Sequence, residues 1–439
     1  MSWPRVTAFW FFAGRVLVSL AVVCAGSAVP AVADGTDLPA VCKTSHKNSD
    51  GKDAKGKQAK AKPSDDDDSG DDDDDDDEGI RFDLGGACAK LTGSVSYTYQ
   101  QANKSAAGLP VFVNPNGTVS SGKSSNTVSA SVGLEATRQT KLGEFKTTFA
   151  AEWSKATGDG TTSGAAEVSG WSVGLAGLTV GYTGTLMSFW EGDFLSTVNA
   201  PGRTANTVVY EYEIDDDNKI AAGVESALPT APDSDSGLKS FDFSDPVYTL
   251  RYRYETDPLT LHLSGLVRRA DFSESPLLPF FPNTATVRTG WAISAGAKVP
   301  MAFIHDDDEA SVQATYASDA SSYLGITTDL TTFQHTIRSL GPTTGWSAVA
   351  SYHHVWSDEF ESNAFASYVK IDANLLLARP EAQSLRTGVN LFWKPVDHLK
   401  FGIELGTVDI KLEPNGIAGF FNGASGHALV GTLSMSAEL

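Results

Sequence analysis

The chain has 439 residues, a formal net charge of −21 and only three cysteines. The acidic balance argues against nucleic-acid binding, which needs a basic footprint, and so few cysteines exclude a disulfide-dense scaffold. Beyond the first thirty or so residues, no stretch approaches the roughly twenty apolar residues that a helical membrane span demands.

Residues 1–33 read as an export signal. Arg5 and Arg15 give a positive start, Val16 to Ala25 is a short apolar run, and Ala31-Val32-Ala33 supplies the small-residue pattern of a cleavage site. Val23 ahead of Cys24 fits lipoprotein processing poorly. Cleavage leaves Cys42 and Cys88 in a chain bound for an oxidising compartment, so one bridge between them is expected, with two free thiols as the alternative.

Residues 34–80 are Lys-rich first and then a run of aspartates, with seven Lys against sixteen Asp and Glu. Almost nothing there is apolar, so burial cannot offset the entropy of ordering, and a disordered, solvated periplasmic spacer is expected. Asp65, Asp67, Ser69, Gly70 and Asp76 fall on EF-hand-like spacing. A tract so rich in Asp matches that pattern by chance, and flanking amphipathic helices are missing. Loose attraction of divalent cations is the expectation.

From residue 81 to 439 polar and apolar residues alternate, the mark of strands with two different environments on their faces. Leu91, Gly93, Val95, Tyr97 and Tyr99 lie on one face and Thr92, Ser94, Ser96, Thr98 and Gln100 on the other. The pattern repeats at 126–138 and 143–156 and gives sixteen segments in all, with the rest near 165–176, 178–186, 205–214, 219–227, 246–256, 259–270, 288–301, 309–318, 344–356, 360–372, 382–394, 399–412 and 426–439. Segment 360–372 fits two phases, with either Phe365 and Val369 or Ala364 and Tyr368 outward. Even-to-odd links are short (Gly177, Thr256–Pro258, Ser357–Glu359), whereas most odd-to-even links are long (101–125, 187–204, 319–343). Short turns at one end and long loops at the other are how bacterial transmembrane barrels are built. The fold class expected is all-β: a transmembrane antiparallel β-barrel of about sixteen strands, with short periplasmic turns and long external loops.

One face is Leu, Val, Ala, Phe and Gly, with Tyr97, Trp153, Tyr252, Trp291, Trp356 and Trp393 near strand ends, where interfacial girdles are expected. The other holds Lys146, Glu152, Glu211, Arg251, Arg253, His262, Arg268, Arg386, Lys400 and Glu404. Charges on that scale need a wet lumen, and a barrel of sixteen strands is wide enough for an aqueous channel.

Three stretches then carry a family likeness. Cys88-Ala-Lys-Leu-Thr-Gly-Ser-Val, Leu178-Thr-Val-Gly-Tyr-Thr-Gly-Thr-Leu-Met-Ser-Phe-Trp-Glu-Gly-Asp, and Asn206-Thr-Val-Val-Tyr-Glu-Tyr with Ile220-Ala-Ala-Gly-Val-Glu-Ser resemble the first strand, the fifth strand with its following loop, and the next hairpin of alphaproteobacterial porins. The resemblance covers residues 81–439. It implies a homotrimer among outer-membrane lipids, with a water-filled lumen for passive diffusion of small hydrophilic solutes and ions. A substrate-selective channel for sugars or carboxylates on the same barrel is the alternative. The resemblance also implies that loop 187–204 folds inward, so that Glu191, Asp193 and Arg203 face Arg251, Arg253, Arg268 and Arg386 at a constriction. Two features depart from the family: Cys42 and Cys88 are far apart, and the chain ends on Leu439 rather than on an aromatic residue.

No catalytic set, metal site or cofactor motif is found. His353 and His354 adjoin on a strand and face opposite sides, and neither the Gly-x-Ser-x-Gly spacing at Gly170 to Gly174 nor the glycine-loop spacing at Gly117 to Ser124 sits at the strand-to-helix turn that a nucleophile elbow or a phosphate cradle needs.

Overall fold

The computed structural model describes residues 79–105, 112–113, 119–120, 124–158, 161–196, 198–226, 246–271, 287–305, 307–325, 343–372, 379–413 and 424–439. The signal expected at 1–33, Cys42, and the Lys/Asp-rich segment up to residue 78 lie outside them. Two compact units are distinguished, and residues 81–89 belong to the smaller one, together with chain outside the described residues. Within it Leu84 and Ala87 exchange backbone hydrogen bonds of 2.9 and 3.3 Å, and Asp83 Oδ1 accepts from Gly86 N at 2.7 Å, which makes a tight turn. Cys88 is disulfide-bonded, and its partner falls outside the described residues.

Sixteen antiparallel strands close into a barrel. In chain order they are β1 (Cys88–Ser105), β2 (Ser124–Thr140), β3 (Gly143–Gly158), β4 (Thr161–Leu175), β5 (Leu178–Gly184), β6 (Thr204–Glu213), β7 (Asn218–Glu225) and β8 (Val247–Thr256). The second half continues with β9 (Leu259–Asp271), β10 (Val287–Pro300), β11 (Glu309–Ser318), β12 (Thr344–Ser357), β13 (Phe360–Asp372), β14 (Glu381–Val396), β15 (Leu399–Glu413) and β16 (Ala424–Glu438). Every strand pairs with its neighbours in sequence, and β16 returns to β1 in a register from His427 opposite Ser105 to Glu438 opposite Ser94. The last residue joins the ladder too, since Leu439 N donates to Gly93 O at 2.8 Å. Closure removes both sheet edges, so no row of unpaired backbone groups faces lipid.

Register carries the two faces around the cylinder. Val389, Leu405, Leu429 and Leu433 are each more than half exposed, and they share the outward phase with Val95, Tyr97 and Met435. An exposed apolar band of this extent belongs in hydrocarbon rather than water. The inward phase holds buried Gln313, Ser384, Glu404 and Thr432. In β13 the inward set is Glu361, Asn363, Phe365, Ser367, Val369 and Ile371, which leaves Ala364 and Tyr368 outside and settles the ambiguous phase. His353 and His354 point to opposite faces, the first toward Asn363 and the second toward Asp308.

The inner face is less uniformly polar than its charges suggested. Val247, Leu266, Ala292, Ala317, Val369, Ile371, Val408 and Ile410 lie inward near the long-loop ends of their strands and form one buried apolar cluster with Met187, Tyr323 and Leu324. Those last three belong to loops, so the cluster is where loops dock inside the wall.

At the short-turn rim, the link from β10 to β11 is closed by Met301 N donating to Asp308 O at 2.7 Å. Asp308 is buried, accepts from Tyr352 Oη and from Val355 N at 3.1 Å, and lies 2.7 Å from His354 Nδ1. Loss of solvent pushes its carboxyl upward, but the Tyr352 hydroxyl, the His354 ring and the Val355 amide outweigh that and hold it below the ordinary range. In β14, Pro395 has no N–H to give the ladder, and the register shifts between Trp393 and Val396.

Two outcomes follow. Leu405→Arg places a charge on the lipid face near the middle of β15 and should cost about 2–4 kcal/mol in reversible unfolding from lipid vesicles; an unchanged unfolding midpoint would contradict the face assignment. Asp308 has a depressed folded-state value, so its contribution is present above the unfolded value of about 3.9 and is lost as pH falls through the folded one. Unfolding temperature should therefore drop below about pH 4, and Asp308→Asn should flatten part of that dependence.

Candidate functional site: the inward loop and the lumen wall

β5 has only seven residues, and the chain leaves it at Gly184 and re-enters the wall at Thr204. The loop between them lies inside the barrel. Its two ends are tied where Thr185 N donates to Arg203 O at 2.9 Å. Along its course it spends backbone and side-chain groups on the wall. Gln313 Nε2 donates to Met187 O at 2.8 Å, and Gln313 Oε1 accepts from Trp190 N at 2.9 Å. Trp190 Nε1 donates to Ser351 Oγ at 2.8 Å, Leu195 N to Glu404 Oε2 at 2.8 Å, and Asn199 N to Ser367 Oγ at 3.0 Å. A loop buried away from bulk water has to find partners for its backbone groups, and the inward polar residues of β11 to β15 provide them.

Aromatic packing completes the seating. Phe189 stacks on His262 with ring centroids 4.9 Å apart and lies over Gly296, where any side chain would collide with the ring. Trp190 stacks on Phe194 at 5.6 Å, and Phe194 meets Phe365 edge-on at 4.5 Å. Glu404 is almost fully buried and acts as the central anchor of the far half of the loop. It accepts from Leu195 N, Ser196 Oγ and Asn390 Nδ2.

Glu191 and Asp193 are the exposed part of the loop. They border a cavity of about 210 Å³ that also touches Glu309, His353 and Asn363 of the wall. Lys400 Nζ reaches Asp193 Oδ2 at 2.6 Å and lies 3.5 Å from Glu361, which in turn pairs with Lys394 at 2.6 Å. A second charged group lines β6 to β9. Arg251 pairs with Glu211, while Arg253 and Lys219 each lie 3.0 Å from Glu255, with His262 in register beside Arg253. Lys146 and Glu135 pair at 2.8 Å on β2 and β3. Partly exposed pairs of this kind are worth little for stability.

The remaining predicted residues lie elsewhere. Arg203 is buried at the root of the loop, 4.0 Å from Glu225. Arg386 is 3% exposed and sits in register between Ser367 and Val408. Arg268 is half-buried on β9 opposite Val247 and Gly290. Arg203 and Arg386 thus present almost no surface to a passing solute. Gln313, Ser351, Asn390, Glu225 and Tyr323 do not stand out in the sequence, and Glu404 stands out there only as an inward charge. Their signal was weak: an amide or carboxylate in the inward phase, as at Gln313 and Asn390, looks the same whether it meets water or a loop backbone.

Removing the anchor should be measurable. Glu404→Ala leaves the Leu195 amide and the Ser196 hydroxyl without their acceptor and should cost about 1–3 kcal/mol, with a noisier open channel. Glu404→Gln retains an acceptor and should fall between the variant and the parent chain.

The sequence matches the model of the porin subfamily over residues 82–417. No curated protein matches it. Among solved structures it is similar to the outer-membrane channel DcaP of Acinetobacter baumannii, at 15% identity over 82% of this chain and 100% of that one, with a TM-score of 0.59. It is also similar to the anion-selective porin from Comamonas acidovorans, at 12% identity over 80% of this chain and 100% of that one, with a TM-score of 0.47. The trimer form of OmpT from Vibrio cholerae follows, at 11% identity over 81% and 100%, with a TM-score of 0.47. With the family match covering most of the chain, this protein belongs to the porin subfamily: it is an outer-membrane channel for passive diffusion and not an enzyme.

Proposed function

We propose that the channel is a general diffusion pore whose filter lies where the inward loop narrows the lumen. The loop tip supplies acid through Glu191 and Asp193, and the wall supplies cations through Arg251 and Arg253. Arg203, Arg268 and Arg386 act behind that filter, by shaping the loop root and the wall. The observation that carries this reading is the seating of Thr185–Arg203 inside the barrel on wall groups from β7 to β15. Separated charges of opposite sign order water across a pore and sort solutes by size and charge.

The assembled protein is read as a homotrimer, with support from the family and from the OmpT trimer. Residues 1–33 are read as a cleaved signal and 34–80 as a periplasmic spacer whose aspartates attract divalent cations loosely. Cys42 is the proposed partner of Cys88, since it is the one other cysteine left after cleavage.

Planar-bilayer recordings test the reading. Ohmic steps that close in threes, with no block by millimolar sugars or carboxylates, are the expected result. Saturable block by one solute class would overturn general diffusion in favour of a selective channel. Replacing both Arg251 and Arg253 by Ala should shift the reversal potential toward cation preference; an unchanged potential would remove them from the filter.

A further inference from the structure

A second loop enters the barrel beside the first. After β11 the chain turns at Asp319 (φ 51°), forms a single 3-10 turn at Ser321–Tyr323, and buries Tyr323 and Leu324 completely. Its base is closed by Asp319 N donating to Thr343 O at 2.7 Å and Thr343 N donating to Asp319 Oδ1 at 2.9 Å. Gly325 has φ 68° and lies against the backbone of Ala200, where a Cβ would collide. The second loop is therefore in contact with the outgoing limb of the first.

The chemistry of that contact centres on one hydroxyl. Tyr323 Oη donates to Glu225 Oε2 at 2.8 Å and accepts from Arg203 Nη2 at 2.6 Å. The Arg203 guanidinium lies over the same ring, 4.6 Å from its centroid, and donates to Ser226 O at 2.8 Å. Glu225 Oε1 accepts from Leu186 N at 3.2 Å. Leu186 and Arg203 are the two ends of the constriction loop, so one buried set of groups holds both. Arg203 and Glu225 are 4.0 Å apart and nearly free of solvent, a separation at which the hydroxyl between them supplies what direct contact does not. Burial, with Glu225 alongside, pushes the Tyr323 phenol upward, so the bridging proton stays in place.

We propose that Tyr323 is a positioning residue for the constriction loop: by bridging Arg203 and Glu225 it fixes the loop root and so sets the aperture. Loss of the hydroxyl leaves a buried carboxylate short of a donor and a guanidinium short of an acceptor, which costs free energy until the root shifts or admits water. The barrel ladder does not pass through this contact and is left intact.

The inference rests on the reading that the inward loop narrows the pore, and the experiment separates the two. The full chain is recorded in planar bilayers as parent, as Tyr323→Phe, as Glu225→Asp, and with residues 189–196 replaced by a Gly/Ser linker, alone and combined with Tyr323→Phe. The expected result is loss of the single sharp open level in both point variants, with heat-modifiable gel migration unchanged, and no further change when Tyr323→Phe is added to the linker variant. Point variants as quiet as the parent, beside a linker variant of wider conductance, would overturn the role of Tyr323 while leaving the filter reading in place. A linker variant with parental conductance would instead overturn the filter reading. Failure of both point variants to form a heat-modifiable barrel would also overturn the proposal, because a positioning group outside the ladder leaves assembly unaffected.

Discussion

Inside a hydrocarbon layer no water is present to satisfy a peptide group, so each N–H and C=O has to find its partner within the chain. The ladder between β16 and β1 meets that constraint for this protein. It joins residues more than three hundred positions apart, from His427 with Ser105 to Glu438 with Ser94. Once the cylinder closes, alternation along each strand separates two solvents. Leu433 and Met435 meet lipid, while Thr432 and Ser434 turn inward. Loop placement and wall charges are both consequences of that separation.

The same constraint recurs inside. A loop that folds into the lumen brings backbone groups away from bulk water, and the wall supplies acceptors and donors at matching places. Two buried carboxylates do much of this. Glu225 takes the Leu186 amide near the root, and Glu404 takes the Leu195 amide further along. Each is surrounded by further donors, namely Tyr323 and Arg203 for Glu225, and Ser196 and Asn390 for Glu404. The charges left facing the lumen, such as Asp193 with Lys400 and Arg251 with Glu211, are partly exposed pairs. Buried carboxylates thus hold the inward loop, and partly exposed pairs lie along the wall.

Much of the fold was legible in the sequence because a period of two is a one-dimensional signal. Leu429, Leu433 and Met435 announce their face without reference to any other strand, and the contrast of short and long links gives the topology. Phase failed to resolve only in Phe360–Asp372, where each face mixes apolar and polar residues: Phe365 meets Phe194 of the inward loop and Val369 joins the buried cluster, while Ala364 and Tyr368 face out. The site was less legible for the same physical reason. Whether Arg203 lines a pore or braces a loop depends on Tyr323, which is 120 residues away in the chain. Whether Gln313 is wet or dry depends on Trp190, 123 residues away. Pairings at that range leave no local pattern, and an inward polar residue looks alike in both settings.

The most direct test of the two-solvent cylinder is a spin-label scan of β16, from Leu429 to Ala437, in the reconstituted protein. Collisions with lipid-soluble oxygen should peak at Leu429, Leu433 and Met435, and collisions with a water-soluble nickel complex should peak out of phase, strongest at Ser434 and Ser436. Accessibilities that fail to alternate along the strand, or that alternate in phase for both reagents, would contradict the account.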